Sequence, residues 1–176
     1  VSLLRALEYR FITPTPLTHA RVLARKDGVA HDLRDVFGWS LPFHPAVMPE
    51  AITGLLEVGG ALLRRGDLVA SGVRVSNVGE DYYLHSAYPT IEAEAVFLGP
   101  DSYRFAAFLR AELPGLGARA HVVDIGTGAG VGAITAARCL PEAYITLSDI
   151  NRGALRLAAI NWMANEFPFG GVMFTQ

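Results

Sequence analysis

HVVDIGTGAGVGAITAARCLPEAYITLSDI, residues 121–150, is an apolar run broken by glycines, then a helical run, then a second apolar run. Val122 to Ile125 are too short and too apolar for a solvent-washed helix, and they stop at Gly126, with Gly128 and Gly130 following. That pattern predicts a buried strand feeding a glycine loop. Glycine at alternate positions removes Cβ where the chain turns sharply and lets backbone N–H groups approach a ligand. A helix follows, with Val131, Ile134 and Ala137 on one face, and its N-terminus suits an anionic group. The next apolar run, Ala143 to Leu147, ends in Ser148-Asp149-Ile150. A carboxylate thus stands at the C-terminal end of the neighbouring strand, where open α/β sheets bind ligands.

Two cofactor classes suit this strand–loop–helix–strand unit. Gly128, Gly130 and Ala133 read as G-x-G-x-x-A, a weakly specific nicotinamide-type fingerprint, so an NAD(P)-binding Rossmann oxidoreductase is one reading. Asp124 argues for the other. A carboxylate two residues ahead of the first glycine opposes the charge of a pyrophosphate, whereas S-adenosylmethionine has no phosphate and offers an α-ammonium and a sulfonium.

VDIGTGAG (123–130), followed by SDINRGALRLAAINWMAN (148–165), resembles motif I and the second strand–helix unit of class I S-adenosylmethionine-dependent methyltransferases. It is most similar to the subgroup holding the glutamine N5-methyltransferases of release factors and the small-domain rRNA guanine methyltransferases. The resemblance covers residues 96–176. It implies a Rossmann-like α/β fold in which Gly126, Thr127, Gly128 and Gly130 line the methionine half of the cofactor. By the same resemblance Asp124 lies near the cofactor's ammonium, directly or through water, Asp149 accepts both ribose hydroxyls, and Ile150 packs on the adenine. The acceptor it implies is a nitrogen of a macromolecule, a protein glutamine or an rRNA base.

The chain has 176 residues, 51% hydrophobic and 18% charged, with mean hydropathy +0.30 and a formal net charge of −2. This is the composition of a globular protein. Basic and acidic residues number nine and eleven in 1–95, and six and six in 96–176. Neither part has the basic excess of a phosphate-backbone binder, which disfavours DNA. Cys139 is the only cysteine, which excludes an internal disulfide and a Cys-x-x-Cys site; it reads as a core filler. No apolar run approaches the ~18 residues of a membrane span, and no signal segment is visible. The expected address is cytoplasmic.

Residues 1–95 predict a small α+β domain resembling a winged helix. Leu3, Leu4, Leu7 and Phe11 have helical spacing over residues 1–12; further helical pieces are expected over Leu17–Lys26, His31–Phe37 and from Val47 to Leu56. Residues 61–65 and 68–73 suggest a hairpin turning at Gly66-Asp67. Residues 73–78 and 82–85 suggest a second, and Ala95–Leu98 a further strand. From Pro45 to Gly60 there is no Lys or Arg, so recognition of a protein, or a structural cap over the cofactor cleft, suits this part better than nucleic acid. Tyr82, Tyr83 and His85 are expected either to face substrate or to pack. None of His19, His31, His44 and His121 has a ligand partner at metal spacing.

Residues 96–176 then open with a helix capped at Asp101 or Ser102, burying Phe105, Phe108, Leu109 and Leu113. Pro100 to Tyr103 are candidate pocket residues. PGLGAR (114–119) links this helix to the central strand, and PFGG (168–171) leads into a third strand, VMFTQ. The resembled family carries Asn-Pro-Pro-Tyr or a variant after its fourth strand, and no such tetrapeptide occurs here. The expectation is therefore the cofactor half of a longer enzyme, with its catalytic residues elsewhere; a non-catalytic binding module is the alternative. Without its outer strands, 122–125 would be an exposed edge strand.

Overall fold

The computed structural model describes residues 1–117, 119–168 and 170–176. Ala118, in the 114–119 link, and Phe169, in the PFGG turn, lie outside the described residues.

Short helices come first: α1 (Ser2–Ala6), α2 (Pro16–Leu23), α3 (Leu33–Phe37) and α4 (Glu50–Val58). The run expected over 1–12 is helical only to Ala6, because the following segment is extended and carries Tyr9 and Phe11 into the core as single anchors. Local chemistry starts the next two. Thr15 Oγ1 accepts the Thr18 N–H ahead of Pro16, and Asp32 Oδ1 accepts the Asp35 N–H at 2.8 Å.

Two antiparallel hairpins follow, β1 (Leu62–Arg65) with β2 (Leu68–Ser71), and β3 (Val73–Val78) with β4 (Asp81–Ser86). Both turn where glycine was read, at Gly66 and Gly79, each with positive φ. Ala95–Leu98 does not form a strand, although the Ser86 N–H donates to the Val96 carbonyl at 3.0 Å.

The β3–β4 hairpin divides two cores. Period-two alternation sends Val75 and Tyr82 into a cluster with Leu4, Phe11, Phe37 and Phe43, and sends Val78 and Tyr83 into a second cluster with Leu98, Ile134, Leu147 and Trp162. Tyr82, Tyr83 and His85 are at most 2% exposed. Of the two roles expected for them, they take packing.

The remaining elements are α5 (Pro100–Glu112), β5 (His121–Ile125), α6 (Val131–Cys139), β6 (Tyr144–Ser148), α7 (Arg152–Ala164) and β7 (Val172–Thr175). The three strands form one parallel sheet in the order β5-β6-β7, with Asp124 beside Leu147 and Ile125 beside Ser148. Parallel neighbours joined through helices are the βαβ units read from the sequence. Among the described residues β5 is an edge strand. One face of the sheet lies under the helices, and the other presents Val123, Ile125, Tyr144 and Met173 at 51–83% exposure.

The expected buried stripe on α5 holds at Leu109 and Leu113, which pack into the core, and is corrected at its two rings. Ala106 is fully buried, but Phe105 and Phe108 are 45% and 59% exposed. Ala106 joins the core, while the Phe105 ring lies against Gly132 of α6. Cys139 is half-buried against the core. No helix among the described residues is long and apolar enough to cross a membrane, and no cluster of metal-ligating side chains occurs among them.

Candidate cofactor site

The glycine loop leaves β5 at Gly126 and enters α6 at Gly130. The Gly126 and Thr127 N–H groups both donate to the Ser148 carbonyl, at 2.8 and 3.0 Å, which pins the loop to the end of β6. Gly130, at φ +84°, is where the loop must be glycine. A Cβ there would lie 3.3 Å from the Ala158 methyl, so the missing side chain also lets α7 approach.

Asp124 reaches from β5 under the loop. Its Oδ2 accepts the Thr127 hydroxyl at 2.7 Å and the Ala133 N–H at 2.9 Å. The carboxylate thereby caps the first turn of α6 and meets the positive end of that helix. Burial holds the Asp124 pKa above the usual carboxylate range and nearby Asp149 adds to this, while the Thr127 and Ala133 hydrogen bonds oppose it.

A cavity of about 300 Å³ opens over this carboxylate. Asp124, Gly126, Thr127 and Gly128 line it, joined by Asp101 and Ser102 from the first turn of α5 and by Phe97 and Phe105. Among its lining residues two are acidic and none is basic.

Asp149 stands just outside this cavity. Its Oδ2 accepts the Gly128 N–H and its Oδ1 the Asn151 N–H, both at 2.9 Å. It therefore ties the glycine loop to the start of α7, where Asn151 Oδ1 in turn accepts the Gly153 N–H at 2.8 Å. Ile150 is 90% exposed beside it. Neither Gly130, Asp149 nor Ile150 is part of the cavity wall.

Gly132 is a wall residue that the sequence reading passed over. A Cβ on it would lie 2.8 Å from Asp124 Oδ2 and 2.8 Å from the Phe105 ring. The signal was available, because glycine inside a helix costs about 1 kcal/mol against alanine and wants a packing reason.

A larger cleft of about 650 Å³ lies elsewhere, with Arg5, Arg10, Arg110 and Arg138 in its wall. Arg10 pairs with Glu80, Arg138 with Asp81 and Arg5 with Glu166, and the Arg110 guanidinium donates to the Val78 carbonyl. Each of its four arginines is engaged, and its wall does not include the glycine loop.

The glycine loop, strand-end carboxylates and parallel β-α-β order make a Rossmann-like unit. Residues 95–176 match the family model of the methyltransferase small domain, and this part of the chain has the fold of the S-adenosylmethionine-dependent methyltransferases. Among solved structures, an S-adenosylmethionine-dependent methyltransferase from Agrobacterium tumefaciens is similar at 13% identity and TM-score 0.50, over 73% of this chain and 41% of that one. TYW2 from P. horikoshii, in complex with MeSAdo, is similar at 15% identity and TM-score 0.47, over 91% of this chain and 62% of that one. TYW2 from M. jannaschii, in complex with AdoMet, is similar at 12% identity and TM-score 0.43, over 65% and 49%. The chain thus spans less than two thirds of each of these proteins. No curated protein matches the sequence.

Proposed function

We propose that the cavity over Asp124 binds the methionine part of S-adenosylmethionine, and that the protein transfers a methyl group to a nitrogen of a macromolecule, a protein glutamine or an rRNA base. The observation that carries the cofactor reading is the charge of the site. A wall with Asp101 and Asp124 and no basic side chain favours a ligand that bears an ammonium and a sulfonium and disfavours a pyrophosphate. The α6 N-terminus, which a dinucleotide phosphate would need, already has Asp124 on the Ala133 N–H. A bound cation would also relieve the desolvation of Asp124.

The bound cofactor would supply an electrophilic methyl group on sulfur. Asp124 and Asp101 would orient its ammonium, the Phe97 and Phe105 rings would wall off water, and Asp149 would hold the loop while facing the ribose. The nitrogen acceptor rests on the resemblance of residues 123–130 and 148–165 to the glutamine and rRNA methyltransferases. Residues 1–95 would recognise that acceptor.

Calorimetry on the full-length protein tests the reading with S-adenosylhomocysteine against NADH. Saturable binding of the homocysteine nucleoside alone is expected, and binding of NADH alone would overturn it. Methyl transfer from labelled cofactor to a release-factor peptide or to rRNA fragments then tests the acceptor class.

A further inference from the structure

The face of the β3–β4 hairpin that carries Arg74 also carries Ser76 and, across the ladder, Tyr83 and His85. Arg74 is 3% exposed, and no carboxylate among the described residues pairs with it. Its Nε has no hydrogen-bond partner, its Nη2 has only His19 Nδ1 at 3.5 Å, and its guanidinium carbon stands 5.4 Å from the centre of the Phe11 ring. A guanidinium is all donors, and a buried charge without a counter-ion is strongly unfavourable. Cation–π attraction to one ring satisfies none of those donors.

Among the described residues the surroundings hold no anion of their own. His19 and His85 are buried beside the guanidinium; burial first, and Arg74 second, push them down to about 4 and about 3, against the pull of the Trp39 and Ser86 backbone, so both are neutral at pH 7. Ser76 Oγ is engaged at 2.9 Å with His85 Nε2 and at 2.6 Å with Thr13 Oγ1. Over His19 lies the Tyr88 ring, at 4.0 Å between centroids. Tyr88 belongs to residues 87–99, which form neither helix nor strand; it is half-buried, and its N–H donates to Ser40 Oγ at 3.0 Å.

We propose that Arg74 is the centre of a binding site for the carboxylate of a small organic acid. One permanent positive charge between two neutral imidazoles balances a monoanion; a phosphate would bring surplus negative charge into a buried site. The planar guanidinium fork matches a carboxylate in two parallel hydrogen bonds. None of these residues lines the cavity over Asp124, so the site stands or falls apart from the cofactor reading.

The test is thermal unfolding of the full chain in increasing sodium acetate, with ionic strength held constant by chloride. The expected result is a saturable rise in Tm, about 3–5 °C at tenfold the Kd, which is absent in Arg74→Met. An equal rise in Arg74→Met, or an equal rise with inorganic phosphate in place of acetate, would overturn the proposal. Should Arg74→Met fail to fold, the unaltered chain decides. The Arg74 Nε–Hε resonance moves as acetate is added if the site is real, and a resonance that stays still refutes it.

Discussion

Asp149, Asp124 and Gly132 together set the geometry of the glycine loop, and each has its own test. Asp149→Asn keeps the size of the side chain but replaces one of two acceptor oxygens, now engaged by the Gly128 and Asn151 N–H groups, with a donor. A charge-assisted hydrogen bond of this kind is worth roughly 1.5–3 kcal/mol, so affinity for S-adenosylhomocysteine should fall about ten- to hundredfold by calorimetry. Glu142, exposed on the turn before β6 and only 3.9 Å from Arg119, is the control, and Glu142→Gln should leave affinity unchanged. Gly132→Ala separates the site from the fold. It supplies a better helix former, worth up to about 1 kcal/mol, yet places a methyl where Asp124 Oδ2 and the Phe105 ring now stand. The expected outcome is a Tm within about 3 °C of the parent with cofactor affinity reduced at least about tenfold. Retained affinity would show that Asp124 does not need its present position.

Among the elements, α7 joins the parts of the molecule. Asn161 and Asn165 are buried one turn apart, and each side-chain amide acts as a peptide group toward the free edge of β4. Asn161 Oδ1 accepts the Leu84 N–H at 2.7 Å while its Nδ2 donates to the Leu84 carbonyl at 2.9 Å, and Asn165 repeats the pattern on Tyr82 at 2.9 and 2.8 Å. The Asn161 amide also donates to the Ala129 carbonyl of the glycine loop at 2.8 Å. A strand edge is thereby closed without another strand, and the hairpin is coupled to the cofactor loop. Asn161→Ala would leave the Leu84 N–H and the Leu84 and Ala129 carbonyls unpaired. A loss of about 2–4 kcal/mol is expected in urea unfolding, against less than about 0.5 kcal/mol for a change on the exposed face of α7 such as Arg156→Lys.

For the whole molecule, the two buried histidines set the acid limit. The ordinary value of 6.5 falls to about 4 at His19 and about 3 at His85, through burial and then Arg74. Between pH 6.5 and 4 the unfolded chain therefore binds protons that the folded chain refuses. Stability rises with pH across that window and is lost as the pH falls, by at most about 3 kcal/mol per pH unit while both groups contribute. Asp124, held above the usual carboxylate range, works in the opposite sense and offsets part of the loss at the acid end. Urea midpoints at pH 6.5 and 4.5 measure the slope. His85→Gln, which removes one titrating group, should reduce it by about 1.4 kcal/mol per pH unit.

Sequence alone determined the strand–loop–helix–strand unit, the hairpin turns at Gly66 and Gly79, and the placing of Asp124 and Asp149 at strand ends, because glycine φ, period-two alternation and helix spacing are local properties of the chain. Only the tertiary structure decided which face each residue meets. Phe105 and Phe108 have the spacing of a buried stripe, yet it is Ala106 that is fully buried, since helix packing depends on the partner's surface. Tyr83 and His85 are fully buried because the hairpin has a core on both sides. The Asn161 and Asn165 amides, the Gly132 contact with Asp124 and the unpaired Arg74 guanidinium join residues far apart in the chain, and their geometry exists only after the elements have packed.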